Sequence, residues 1–247
     1  METDSQREAR AHSMMSSGNW STAGALFVDL AQNGHNPEHN FYNAGICFEY
    51  NEYGQRRGSG ADLEEAKRCF QKSIASGASL EAGALLSIGL IEMTLGESEN
   101  AELTLRNAKF KDPNSFQISG ALGWVLNGMG KYKDAVEPLK QALNLNPNDC
   151  DALINLAIAY DNLQQPGPAL ATYKLFCDKA AQLSHLHPSI GSNIPIAQQA
   201  IGRLITKFPD LKTDPKSNWL DIVLMKPNLF GIGLDLNELF KRIRVGY

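Results

Sequence analysis

One spacing constrains this chain more than any other feature. Ala101, Ala135 and Ala169 lie 34 residues apart, and a column of neighbours moves with them. At the same interval run Ile88, Leu122 and Leu156, then Gly89, Gly123 and Ala157, then Leu105, Leu139 and Tyr173, with Pro113 answered by Pro147. A fixed period of this length signals a stack of supersecondary units, each too small to bury its own apolar face. Each unit holds two helices. In GALLSIGLIEMTLGESENAELTLRNAKFKDP the apolar residues recur at helical spacing, Gly96 interrupts them, a second helical stretch follows, and Pro113 stops it.

The columns have a physical reading. Paired helices approach closely only where a side chain is small, so Gly89 with Ala101, Gly123 with Ala135, and Ala157 with Ala169 are expected to mark helix crossings. Leu105, Leu139 and Tyr173 are expected to fill the space between successive hairpins. The prolines end second helices, since proline lacks the N–H donor and clashes with the preceding turn.

This arrangement of small, large and proline positions resembles the tetratricopeptide repeat family. The match is cleanest over 82–115, 116–149 and 150–183, and GMGKYKDAVEPLKQALNLNPND stands close to the family pattern. The last of these units departs from it: Gln164, Gln165, Pro166 and Gly167 replace the usual turn, Phe176 stands where Ala108 and Ala142 stood, and position 181 carries no proline. Two further units are placed at about 4–37 and 38–81. The second has 21 residues between Gly45 and Ala66, against 12 between Gly89 and Ala101, and its longer loop resembles the Sel-one-like relatives of the repeat. In the first, GNWSTAGALFVDLA reads as a second helix starting near Asn19 or Ser21, and polar SQREARAHSMM as a terminal helix exposed on one side. The expected fold is therefore all-α: a right-handed superhelical solenoid over 1–183, followed over 184–247 by a helical cap or appendage. There, IAQQAIGRLITKF reads as an amphipathic helix stopped by Pro209, and a closing helix carries Leu236, Leu239, Phe240 and Ile243 on one face.

Composition excludes several classes of function. The 23 basic and 27 acidic residues leave a net charge of −4, which opposes the phosphate backbone of nucleic acid. No run approaches the roughly 18 to 20 apolar residues that a membrane span requires, and METDSQREARAHSMM lacks the basic start and apolar stretch of an export signal. A cytoplasmic location is the expectation. Cys47, Cys69, Cys150 and Cys177 are widely spaced without a CxxC pair and read as structural thiols. His185 and His187 lack further ligands for a metal. Gly231 and Gly233 lack the third glycine and preceding strand of a dinucleotide site. No catalytic constellation, metal site or cofactor is expected.

In the family the first helix of each hairpin lines a concave groove. Carrying its groove positions over selects Tyr42, Ile46 and Glu49, then Leu86, Leu90 and Met93, then Gln117, Trp124 and Asn127, then Asp151, Ile154, Ile158 and Asp161. The carboxylate-clamp branch places lysine or arginine at such positions; here there is none, and only Asn43 and Asn155 resemble it. An apolar groove with aromatic and methionine side chains suits a hydrophobic segment or amphipathic helix. The expectation is a non-enzymatic adaptor or chaperone-like module with a protein or peptide ligand. The alternative is a regulatory subunit that docks on an enzyme through the sequence after Ala200.

Overall fold

The computed structural model describes residues 2–183 and 191–212, and all regular structure among them is helical. Eleven α-helices run in chain order: α1 Asp4–Ser16, α2 Trp20–Gln32, α3 Pro37–Phe48, α4 Leu63–Ser76, α5 Glu81–Thr94, α6 Ser98–Lys111, α7 Phe116–Gly128, α8 Tyr132–Leu145, α9 Cys150–Asn162, α10 Pro166–Leu183 and α11 Ile194–Lys207. A 3₁₀ turn, Pro209–Lys212, follows α11. The chain divides into two compact units, Met1–Lys131 and Tyr132–Tyr247.

Local sequence sets the helix starts. Thr3 and Gln6 form a capping box before α1, and the side chains of Asp62, Ser115 and Asp149 accept backbone N–H groups at the starts of α4, α7 and α9. Asn19 is the N-cap residue of α2. The turns inside hairpins repeat too: Gly96 and Gly130 have φ of 84° and 72°, and Gln164, one period further on, has φ of 55°. The Gln-Gln-Pro-Gly stretch thus keeps the same left-handed turn that its relatives build on glycine, with a residue that carries a Cβ. Without a terminating proline, α10 extends to 18 residues, against 14 in α6 and α8.

In the first unit each helix from α1 to α7 packs on the next. One cluster joins α1 to α4 through Ala11, Ala23, Phe27, Ala44, Cys47 and Cys69; a second joins α4 and α5 through Ala66, Phe70, Ala84, Ile88 and Ile91, with Tyr42, Ile46 and Phe48 of α3 packed against it. The small-residue columns work differently from the sequence expectation. A Cβ placed on Gly89 would lie 2.7 Å from Leu105 Cγ, and one on Gly45 would lie 2.8 Å from the Phe70 ring. Leu105 and Phe70 therefore fill the hollow of the glycine in their own hairpin, and Leu105 is not merely a plug between hairpins. Solvent exposure of 0% for both large side chains shows that these hollows are full.

Polar contacts tie successive hairpins. The Glu38 carboxylate of α3 accepts from Leu80 N and the Ser79 hydroxyl, both at 2.8 Å, in the loop that leads into α5. These hydrogen bonds, that from Leu80 first, hold its pKa below the ordinary carboxylate value. Lys67 of α4 bridges Glu92 and Glu97 at 3.1 and 3.0 Å.

In the second unit α8, α9 and α10 pack in sequence, and α11 packs on α10 through Ala197, Ala200 and Leu204 on its buried face. Helix α11 begins at Ile194, two residues before the expected amphipathic stretch, with Pro195 in its first turn. The closing helix expected over 236–243 lies outside the described residues, as do His185, His187, Gly231 and Gly233.

Candidate functional site

Tyr42 and Ile46, Leu86, Leu90 and Met93, and Gln117 and Trp124 of the expected groove residues lie on α3, α5 and α7, the first helices of hairpins in the first unit. Leu86, Leu90 and Met93 follow the i, i+4, i+7 spacing of one face of α5, and Gln117 and Trp124 stand seven apart on α7. Leu86, Leu90 and Met93 are half-buried, Gln117 is exposed, and Trp124 keeps 38% of its surface. Tyr42 and Ile46 on α3 are half-buried.

Two of these side chains also set how the first helices pack. Tyr42 stands edge-on to Phe70, with ring centroids 5.4 Å apart, and its hydroxyl lies 3.0 Å from where a Cβ on Gly83 of α5 would be. Met93 Cε lies 2.5 Å from the corresponding point on Gly128 of α7. Each long side chain rests on a bare stretch of the next first helix. Burial is the leading reason that the Tyr42 hydroxyl has its pKa pushed up, so it stays neutral over the physiological range.

Three positions depart from a groove-lining role. Glu49 is fully buried: it faces Arg56 and Arg57 of the long loop, with Arg57 Nη1 at 2.7 Å and both the Nε, at 2.8 Å, and Nη2 of Arg56 bound to Oε2. A carboxylate with no solvent contact must be paired, and the inserted arginines supply that partner. Asn127, at 9%, is buried on α7. Ile154, at 5%, is buried on α9 and belongs to core packing.

On α9 of the second unit Asp151 is exposed and Ile158 half-buried. Asp161 is engaged from two directions: Arg203 of α11 pairs with Oδ2, and the Tyr173 hydroxyl donates to the same oxygen at 3.4 Å. Desolvation of the Tyr173 phenol, with the nearby Asp161 charge, pushes its pKa up to about 12. Asp161, Arg203, Lys207 and Phe208 help line a cavity of about 560 Å³.

The sequence reading passed over Gly83, Gly128 and Arg203. The two glycines lie off the 34-residue columns, so only a search for small residues on neighbouring first helices would have found them. Arg203 sits in a helix outside the period. Among the described residues no group of three or more His, Cys, Asp or Glu side chains is placed to hold a metal ion. No helix among them is long and apolar enough to cross a membrane. The buried thiols of Cys47 and Cys69 are pushed up to about 12, chiefly by desolvation, a setting opposite to that of a nucleophilic cysteine.

Comparison with known proteins agrees with this architecture. Residues 123–164 match the family model described as TPR repeat. No curated protein matches the sequence. Among solved structures, that of MamA is 16% identical with a TM-score of 0.60, over 71% of this chain and 96% of that one. YrrB, described as a TPR protein with an unusual peptide-binding site, is 18% identical with a TM-score of 0.56, over 72% and 87%. MamA from residue 41 to the end, from Desulfovibrio magneticus RS-1, is 20% identical with a TM-score of 0.53, over 82% and 94%. Repeats of this kind present extended surfaces for protein–protein interaction. With a TPR family model matching residues 123–164 and the same succession of paired helices in these structures, the chain has the helical fold of tetratricopeptide-repeat proteins.

Proposed function

We propose that the chain is a non-enzymatic adaptor or chaperone-like module that holds a hydrophobic peptide or an amphipathic helix on the faces of α3, α5 and α7. The observation that carries this reading is the chemistry of that surface: Tyr42, Ile46, Leu86, Leu90, Met93, Gln117 and Trp124 include no ionisable group charged at neutral pH. Trp124 leaves 38% of a large rigid side chain in water. An apolar partner would recover that hydration cost, and Trp is the residue type most often found as an interface anchor. The peptide-binding site reported for YrrB, a protein of the same fold, is in keeping with such a role.

Affinity capture of a partner by the full chain, followed by calorimetry on Trp124→Ala, tests the reading. The expected loss is about 2 kcal/mol of binding, with helicity by circular dichroism unchanged. Equal affinity of the variant would remove Trp124 as an anchor. Loss of helicity together with binding would place it in the core.

A further inference from the structure

A second concave site lies away from the α3, α5 and α7 faces. Between the first turn of α2, the end of α3 and the long loop 49–62 is a cavity of about 580 Å³. Trp20 and Tyr50 both line it, stacked with ring centroids 4.1 Å apart and planes 11° from parallel. Both rings are only half-buried. Glu52 and Asp62 line the same cavity, and no lysine or arginine does.

The loop is built so that this charge pattern persists. Its two arginines are turned inward onto buried Glu49 and leave the acidic residues of the cavity without a basic neighbour in the lining. Asn51, itself buried, holds the loop's shape: its Oδ1 accepts from the backbone N–H groups of Tyr53 and Gln55 at 3.0 and 2.9 Å, and its Nδ2 donates to Ser59 O at 2.8 Å. The cavity wall is thus tied in place by side-chain and backbone bonds. Glu52 is exposed and enters none of the ion pairs of the described residues; Asp62 spends one oxygen on the N–H of Glu65 at the start of α4.

We propose that this cavity is a recognition site for a cationic side chain, a lysine or arginine, of a protein partner. A cation over the face of an electron-rich ring is attracted by its quadrupole, Trp most strongly, and the two carboxylates in the lining add a favourable field with no basic side chain in the lining itself. A neutral apolar side chain would gain only the ring contact and would leave the carboxylates to be desolvated without compensation.

The experiment uses the full ¹⁵N-labelled chain, with its tryptophan indole signals assigned by Trp20→Phe and Trp124→Phe. The probe is the blocked peptide acetyl-Ala-Lys-Ala-amide, with its ε-acetylated form as the neutral counterpart. The lysine peptide should shift the Trp20 indole resonance saturably and leave that of Trp124 in place, while the acetylated peptide should shift neither. The double variant Glu52→Gln, Asp62→Asn should weaken the lysine response about fivefold or more, a loss of about 1 kcal/mol. Asparagine keeps the helix cap at 62, so an unchanged melting curve would confirm that the fold is intact. An equal shift by both peptides, no shift at Trp20, or an undiminished response in the double variant would each overturn the proposal.

Discussion

Gly45→Ala tests the claim that a large side chain fills the hollow of a glycine within its own hairpin. The added Cβ would meet three atoms of the Phe70 ring at 2.8, 2.8 and 2.9 Å, all closer than real Cβ contacts allow. Phe70 is fully buried and also packs edge-on to Tyr42, so the ring has no free space to swing into. Overpacking of a filled core costs about 1–3 kcal/mol, and three simultaneous contacts with a rigid ring place this case in the upper half. Alanine returns about 1 kcal/mol through its better helix propensity, so the net expected loss is about 1–2 kcal/mol. In a chain of this size that lowers the melting temperature by about 2–8 °C. Gly202→Ala in α11, where a Cβ meets nothing within 4 Å, isolates the propensity gain and should stabilise by up to about 1 kcal/mol. Urea denaturation of both variants and of Gly45→Ala combined with Phe70→Leu completes the test, because the smaller side chain should relieve most of the clash. A Gly45→Ala protein as stable as its parent would refute the packing argument.

Other perturbations have equally definite outcomes. Gln164→Gly should stabilise by about 1 kcal/mol in urea denaturation, because Gln164 holds a left-handed φ of 55° that costs an L-residue about that much. Glu49→Ala should destabilise by about 2–3 kcal/mol, below the usual cost of breaking a buried pair because Arg56 and Arg57, with 39% and 22% of their side chains exposed, can turn to water. Limited trypsin digestion should then cut after those arginines first. The lowered pKa of Glu38 gives stability that is fully present above its ordinary value of 4.5 and is lost as pH falls through the lower folded value. Glu38→Gln should therefore flatten that acid limb of a stability–pH curve and lower the neutral-to-alkaline plateau without changing its slope.

The parts of the fold set by repetition were legible from sequence, and those set by a single event were not. The 34-residue columns place helix pairs without any knowledge of contacts, since Ala101, Leu105 and their counterparts recur wherever the same packing recurs. Glu49 misled the groove reading because its helix position is that of an exposed residue, and only the insertion that follows, with Arg56 and Arg57, buries it. The acidic residue before a loop holding two adjacent arginines was the available signal. Gln164 shows the converse: the residue changed while the turn did not, because the flanking helices already determine its conformation. The partner of Asp161 was invisible because Arg203 lies 42 residues away, on a helix outside the period.

Tyr42 on Gly83 and Met93 on Gly128 use opposite ends of their helices: the first contact lies in the opening turns of α3 and α5, the second in the closing turns of α5 and α7. Each junction therefore works as a lock with its own key. A hairpin transplanted to the neighbouring place would bring its bulky residue against a position that carries a side chain, and would leave a glycine hollow empty elsewhere. Although the repeats share one spacing, the first three junction helices of this chain are not interchangeable, and shuffling their order should fail even where every individual hairpin is intact. Drift at one member of each pair is likewise tied to the other, so the order of the hairpins is written into the molecule as firmly as their number.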